Sequence, residues 1–220
     1  MPSKDGQVED LARGLAEGEI NEKDAIAELE NRGLTEKVAL RGSAWGYLIW
    51  VIPCFLPWLA MKTNWDFLSP ITDFIPYKFP PTAVYLALGF FFLAILLTVW
   101  GMGFNKNRGG CQTEDYTVVL LCTGPYALVR HPSHLAWSVI FATLPIFISS
   151  YIPFTLLSIV GIVGIVVFHY FISIREERAL NLKKWGSAYR EYMRQVPRWN
   201  ILLGLWRHLK RGRDRNHDEA

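Results

Sequence analysis

A cationic triplet and a pair of carboxylates flank the longest apolar stretch of this chain. Arg130-His131-Pro132 precedes the stretch, and Glu176-Glu177 follow it about forty-five residues later. If the stretch folds as a membrane hairpin, its two ends meet at one membrane face. Because ionisable side chains are costly near the hydrocarbon core, groups in this position indicate a functional site.

The segment around Arg130 carries groups suited to a small anionic ligand. Gly124 and the proline after it predict a turn that frees backbone N–H groups, and Tyr126 adds a flat ring and a hydroxyl. Arg130 offers a planar fork that fits a carboxylate or phosphate, and His131 titrates near neutral pH. Pro132 can begin a helix, whose N-terminus favours an anion. The alternative is that the arginine and histidine only extend toward lipid headgroups.

Uncharged apolar stretches predict the membrane helices that position these groups. They cover residues 44–61, 82–102 and 135–174. A span needs about 20 apolar residues, so the third stretch predicts two helices with a turn near Ser149–Pro153. Gly101-Met-Gly103 is predicted to end the second span. The fold class predicted is an all-α integral membrane helical bundle of about four spans, with a cytoplasmic C-terminal helix.

Basic residues set the expected orientation. The connection 62–81 holds two lysines, the connection 103–134 holds three basic residues, and the tail after Ile174 is densely basic. Both termini are therefore predicted to be cytoplasmic. The net charge of +3, with basic residues beside apolar segments, favours a membrane surface over nucleic acid. Aromatic residues of the first connection are predicted to be anchors at the headgroup level: Trp65, Phe67, Phe74, Tyr77 and Phe79.

The cysteines do not have the spacing of metal ligands, and no metal site is predicted. They are odd in number and are expected to be reduced structural thiols: Cys54, Cys111 and Cys122.

The N-terminus predicts a small helical hairpin over residues 7–34. Gly18 falls in its turn, Asn21 can cap the second helix, and Gly33 can end it. The hairpin resembles the short SHOCT-type modules of bacterial membrane proteins. Two roles stay open for it: a hairpin lying on the membrane, or a module that binds a protein partner. The domains predicted are the hairpin (1–40), a membrane domain (41–205) and a charged tail (206–220).

Apolar residues after Glu177 follow a helical period. They predict a stripe on a helix lying against the membrane and interrupted at Gly186: Leu180, Trp185, Tyr189 and Tyr192. The charged residues between them can form a solvated face with Glu–Arg pairs. A carboxylate at the membrane boundary can instead hold a ligand ammonium group or orient an arginine.

About two fifths of the chain, from Tyr116 to Trp199, resembles the isoprenylcysteine carboxyl methyltransferase family and its relatives, the phospholipid methyltransferases. The resemblance rests on several short motifs: Gly124-Pro125-Tyr126, Arg130-His131-Pro132-Ser133, Trp137, Glu177, Gly186, Tyr189, Tyr192 and Val196-Pro197-Arg198. It implies an integral membrane methyltransferase that uses S-adenosylmethionine. It also implies that lipidic acceptors enter from the bilayer and that the cofactor pocket lies at the cytoplasmic face.

Site residues follow from this resemblance and from the chemistry above. Glu177 and Arg130 are the predicted catalytic residues, and Glu177, with Glu176 as its substitute, would bind the cofactor ammonium group or orient the acceptor. The predicted cofactor-binding residues are Gly124, Tyr126, Arg130, His131, Pro132, His134, Glu176 and Glu177.

Two positions depart from the carboxyl methyltransferases. His134 replaces a usual tyrosine, and Ile172 stands where those enzymes carry an arginine. The acceptor therefore stays open among a carboxylate, a thiol or an amine on an apolar molecule.

Two other functions remain open from the sequence. Membrane sterol reductases share a similar Arg-His-Pro segment and use NADPH, but they are normally much longer. A non-enzymatic membrane adaptor would act through the N-terminal hairpin and would need no cofactor pocket.

Overall fold

The computed structural model describes residues 6–63, 70, 75–112 and 116–218, with side chains described as far as Arg211. Helices make up 75% of the structure, and the described ranges contain no strand. One isolated antiparallel bridge joins Tyr77 to Phe154. The all-α class predicted from the sequence is confirmed.

Nine α-helices follow one another along the described parts of the chain. They are α1 (Glu9–Glu17), α2 (Glu22–Asn31), α3 (Glu36–Ala39), α4 (Leu48–Thr63), α5 (Pro81–Arg108), α6 (Pro132–Phe147), α7 (Leu156–Glu176), α8 (Leu182–Gln195) and α9 (Ile201–Asp218). Helix α9 extends through most of the segment predicted as a charged tail.

Three helical stretches are long and apolar enough to cross a membrane. One lies in the helical run Glu22–Thr63 and includes α4, the second is α5, and the third lies in the run Leu156–Gln195. The last run has no Asp, Glu, Lys or Arg between Leu156 and Ile174, so its apolar part ends within α7. Helix α6 is apolar but has only 16 residues, fewer than the roughly 20 that a span needs.

The ends of the apolar helices test two predictions. Helix α6 ends at Phe147 and α7 begins at Leu156, which confirms the turn expected between them. The prediction that α5 ends at Gly101-Met-Gly103 is wrong, because α5 continues to Arg108. The chain leaves the helix at the next glycine pair, where Gly110 has a φ of 96°, a conformation that side chains disfavour.

The described aromatic residues of the first connection contact one another and the turn after α6. The ring of Phe79 lies 4.8 Å from the rings of both Tyr77 and Phe154. The other predicted anchors lie outside the described residues: Trp65, Phe67 and Phe74.

The chain forms two compact units, each assembled from separate segments. The first unit contains residues 1–41, 97–133 and 173–220, and the second contains 42–96 and 134–172. In the second unit, Trp50 is buried and its indole N–H donates to the Phe141 carbonyl at 2.9 Å. All predicted site residues except His134 belong to the first unit.

Helices α1 and α2 are joined by a short turn at the N-terminus. Gly18 ends α1 with a φ of 73°, and the Asn21 side chain accepts the Asp24 N–H at 3.0 Å. The apolar face of the hairpin is buried against three residues of the same unit that lie later in the chain: Cys111, Val118 and Leu180. The hairpin is therefore part of the packed core of the first unit.

Helix α8 does not present its aromatic stripe to a membrane. Tyr189 is 2% exposed and Tyr192 is 6% exposed, and both pack with Val196. The Tyr192 hydroxyl donates to the Tyr126 carbonyl at 2.6 Å. The prediction of a membrane-lying face is wrong at these positions, because the stripe faces protein.

Candidate functional site

The backbone before Arg130 is shaped by the predicted glycine–proline turn. Gly124, with a φ of 58°, opens a 3-10 turn that ends at Ala127. The N–H of Val129 donates to the Pro125 carbonyl at 3.2 Å and closes this turn. This turn therefore fixes the direction in which the chain reaches Arg130.

The Arg130 segment pairs through its backbone with the segment that follows α8. The N–H of Arg130 donates to the Pro197 carbonyl at 3.0 Å, and that of His131 donates to the Arg198 carbonyl at 3.4 Å. These two bonds bring the Arg198 side chain to the same place as Arg130 and His131.

Glu177 lies at the centre of this cluster. It begins a π-helical turn, a feature often found at functional sites, and is 1% exposed. Its Oε1 accepts from His131 Nε2 and Arg198 Nε, both at 3.1 Å, and its Oε2 accepts from Arg198 Nη2 at 2.6 Å. Arg130 Nη1 lies 3.1 Å from Oε1. The Glu177 carboxylate thus forms ion pairs with three side chains of the protein: Arg130, His131 and Arg198.

His131 lies between the two neighbouring carboxylates. Its Nδ1 is 3.4 Å from Glu176 Oε2, and its Nε2 is 3.1 Å from Glu177 Oε1. Burial lowers the pKa of His131, but Glu176 and Glu177 outweigh burial and raise it to about 9. The imidazole is therefore a cation at neutral pH and can donate from both nitrogens.

The pKa of Glu177 is shifted the other way. Burial raises it, but the hydrogen bonds from His131 and Arg198 outweigh burial and lower the pKa to about 2. At neutral pH the cluster therefore holds three cations, including Arg130, and two carboxylates, including Glu176. One positive charge is left over, which favours an anionic group nearby.

A cavity of about 80 Å³ lies beside the cluster, within the first unit. Residues from the N-terminal hairpin, the end of α5, the Arg130 segment and α8 line it. They are Glu36, Asn105, Tyr116, Thr117, Val119, Leu120, Leu121, Tyr126, Arg130, Glu176, Leu180, Asn181, Lys184, Trp185, Tyr189 and Tyr192.

Arg130 brings unsatisfied donors to this cavity. Its side chain is 8% exposed, and its Nε and Nη1 atoms have no hydrogen-bond partner among the described residues. Nη1 is within ion-pair distance of Glu177 Oε1 but makes no hydrogen bond there. Because buried polar groups are nearly always hydrogen-bonded, these N–H groups indicate a place for an acceptor supplied by a ligand.

The predicted site residues make different contacts in the structure. Tyr126, Arg130 and Glu176 line the cavity, and the Tyr126 hydroxyl donates to the Gly101 carbonyl at 3.5 Å. Glu177 contacts Arg130 and Arg198, and His131 contacts Glu176 and Glu177. Gly124 shapes the turn, and Pro132 begins α6. His134 belongs to the second unit, where its ring stacks on that of His169 at 6.4 Å.

Several site residues were not singled out by sequence reasoning. Arg198 was noted only as part of a Val-Pro-Arg motif, yet it makes the shortest contact of Glu177. Lys184 follows another lysine and gives no sign in sequence of its burial, although it is 3% exposed. Glu36 and Asn181 carried no sequence signal either.

No family model matches the chain, and no curated protein and no solved structure matches it.

Proposed function

We propose that this chain is an integral membrane methyltransferase that transfers a methyl group from S-adenosylmethionine to a lipophilic acceptor. The observation that carries the proposal is Arg130, a buried guanidinium that lines the cavity together with Glu176 and whose Nε and Nη1 atoms make no hydrogen bond among the described residues. A planar guanidinium beside a carboxylate fits the carboxylate and ammonium groups of one amino acid. S-adenosylmethionine presents both groups at one end.

Each residue of the cluster has a role in this proposal. Arg130 binds the cofactor carboxylate, and Glu176 accepts from the cofactor ammonium group. Glu177 contacts His131, Arg130 and Arg198, so it orients the arginines rather than the ligand. When bound, the cofactor supplies a methyl group activated by its sulfonium, and the protein contributes positioning and exclusion of water.

The charges that line the cavity favour this cofactor over NADPH. Arg130 and Lys184 are cationic, and Glu36 and Glu176 are anionic, so the charges balance. S-adenosylmethionine carries a zwitterionic end and one sulfonium, which such a cavity can accept. The several phosphate charges of NADPH would need an excess of cationic side chains. A membrane adaptor needs no such cavity at all.

The cavity must widen to admit the cofactor. Pockets for small molecules usually measure about 300–1,000 Å³, and this one measures about 80 Å³. A tight site that opens for its ligand also excludes water from the reacting groups once it closes.

The proposed topology has four spans with both termini in the cytoplasm. Helix α6 has 16 residues and is about 24 Å long, which is shorter than a hydrocarbon core of roughly 30 Å. It would cross the core only if the polar residues at its two ends also lay within the membrane. The excess of basic residues after Ile174 supports a cytoplasmic C-terminus.

The acceptor is a carboxylate, thiol or amine on an apolar molecule. Ile172, at the position where the carboxyl methyltransferases carry an arginine, is buried and apolar. A substrate carboxylate therefore could not form an ion pair at this position. The arginines of the cluster could supply the cation instead.

Ligand binding by the purified full-length protein tests the proposal. S-adenosylmethionine should bind the wild-type protein, and Arg130→Ala should weaken it by about tenfold or more, since a hydrogen bond to a charged group contributes roughly 1.5–3 kcal/mol. Arg194→Ala is the matched control, because Arg194 is 79% exposed. Binding of NADPH in preference, or equal affinity in the wild type and Arg130→Ala, would contradict the proposal.

A further inference from the structure

Lys184 is a second buried cation at the cavity, and the cluster around Glu177 does not use it. It is 3% exposed and lines the cavity. Its ammonium donates to the Thr117 carbonyl at 2.9 Å, which is its one hydrogen bond among the described residues. An ammonium group has three N–H donors, so two remain for a partner in the cavity.

Lys184 and Arg130 reach the cavity from different segments of the chain. Lys184 follows Glu176 by eight residues, which corresponds to roughly 12 Å along a helix. Among the lining carboxylates, Glu36 supports the pKa of Lys184 more strongly than Glu176 does, so the polar lining divides into Arg130 with Glu176 and Lys184 with Glu36. Five aromatic residues also line the cavity, and Trp185, next to Lys184, and Tyr116 are two of them.

We infer that the end formed by Lys184 and Glu36 binds the adenosine part of the cofactor, so that the N-terminal hairpin forms part of the cofactor site. This inference rests on the proposed function. Adenosine presents acceptors, the ring nitrogens and ribose oxygens, to which Lys184 can donate. It also presents ribose hydroxyls that can donate to the Glu36 carboxylate, and a flat base that suits aromatic neighbours.

Contacts of the hairpin fix the segment that leads to Glu36, the first residue of α3. The Gln7 N–H donates to the Lys183 carbonyl at 3.2 Å, and the Tyr116 hydroxyl donates to Glu30 at 3.2 Å. Leu34, two residues before Glu36, is buried in the core that the hairpin shares with the rest of the unit. The hairpin is therefore fixed to the segments around Lys183 and Tyr116, which are next to or part of the cavity lining, rather than free to bind a distant partner.

The electrostatics of Lys184 agree with a donor role. Burial lowers the pKa of its ammonium to about 8, and the carboxylates of Glu36 and Glu176 limit the shift. The Lys184 ammonium is thus still protonated in most molecules at pH 7.

Two probes and three variants separate the two ends of the cavity. S-adenosylhomocysteine contains adenosine and the amino-acid end, whereas 5′-methylthioadenosine lacks the amino and carboxyl groups. Their affinities for the full-length protein would be measured by competition or calorimetry in wild type, Lys184→Met, Arg130→Ala and Lys183→Met. Methionine keeps the length of Lys184 without a buried charge, and Lys183 is the exposed neighbour that serves as the control.

We expect Lys184→Met to weaken both probes by about tenfold or more, Arg130→Ala to weaken only S-adenosylhomocysteine, and Lys183→Met to weaken neither. If Lys184→Met lost affinity for S-adenosylhomocysteine alone, Lys184 would act at the amino-acid end, and the inference would be wrong. Unchanged affinities in a folded Lys184→Met protein would also overturn it. If the wild type bound neither probe, the proposed function would fail first, and this inference with it.

Discussion

Glu177→Gln should destabilise the protein far more than Glu176→Gln. Glu177 is 1% exposed and accepts hydrogen bonds from His131 and Arg198, with Arg130 at ion-pair distance. Glutamine keeps the shape of the side chain but has no charge. Its amide N–H₂ would also replace a carboxylate oxygen and face a cationic donor.

The expected magnitude follows from the charges left behind. Without Glu177, the buried cations Arg130 and His131 and the partly buried Arg198 share the single carboxylate of Glu176, and the net charge of the cluster rises from one to two. Removing one partner of a buried ion pair costs about 3–5 kcal/mol. For a chain of this size each kcal/mol lowers the melting temperature by roughly 2–4 °C, so a fall of roughly 6–20 °C is expected.

Thermal unfolding of the purified protein in one detergent, at pH 7, measures this difference. Glu176→Gln is the matched control, since it is the adjacent residue, undergoes the same chemical change and lies at the same helix end. Glu176 lines the cavity and its side chain is 12% exposed, so its substitution should mainly reduce the affinity for S-adenosylmethionine.

A melting temperature of Glu177→Gln within about 2 °C of wild type would show that Glu177 does not hold the arginines in place. The reverse pattern, in which Glu176→Gln is the unstable variant and Glu177→Gln the one that loses affinity, would exchange the roles assigned to the two carboxylates.

Two further predictions concern protonation and topology. His131 has a pKa raised from 6.5 to about 9, so its contribution to stability is complete below pH 6.5 and is lost as the pH rises toward 9. The excess melting temperature of wild type over His131→Gln should shrink across that window, and a constant difference would contradict the ion pairs. The substitutions Ser150→Cys and Arg190→Cys would be made separately in a variant without native cysteines. An impermeant thiol reagent added to cells should label Ser150→Cys and not Arg190→Cys. Labelling at Arg190 would contradict the cytoplasmic C-terminus.

Local chemistry made part of the structure predictable. The Asn21 cap and the left-handed Gly18 depend on residues within one turn of each other, so the sequence alone specifies them. The pairing of Arg130 with Glu177 was expected because a hairpin brings the ends of its two helices together, and their side chains lie 3.1 Å apart.

Other features depend on contacts between distant segments. Lys184 is buried because its ammonium reaches the Thr117 carbonyl, and a Lys-Lys pair in sequence gives no sign of that contact. Arg198 enters the site because the segment after α8 pairs with Arg130 and His131 through its backbone. The aromatic stripe of α8 has the same periodicity whether it faces lipid or protein, so periodicity could not decide between them.

The cluster around Glu177 is also a reason to expect that binding and folding are linked in this protein. Its buried charges are costly unless each has a partner, and the Nε and Nη1 atoms of Arg130 make no hydrogen bond among the described residues. A ligand carboxylate would supply acceptors for those donors and neutralise the remaining positive charge. Glu177 would then serve to keep the Arg130 fork ready in the unliganded protein, so that little reorganisation is needed when the ligand arrives. The carboxylate most prominent in the sequence would thus act through the arginines, while its neighbour Glu176 meets the ligand.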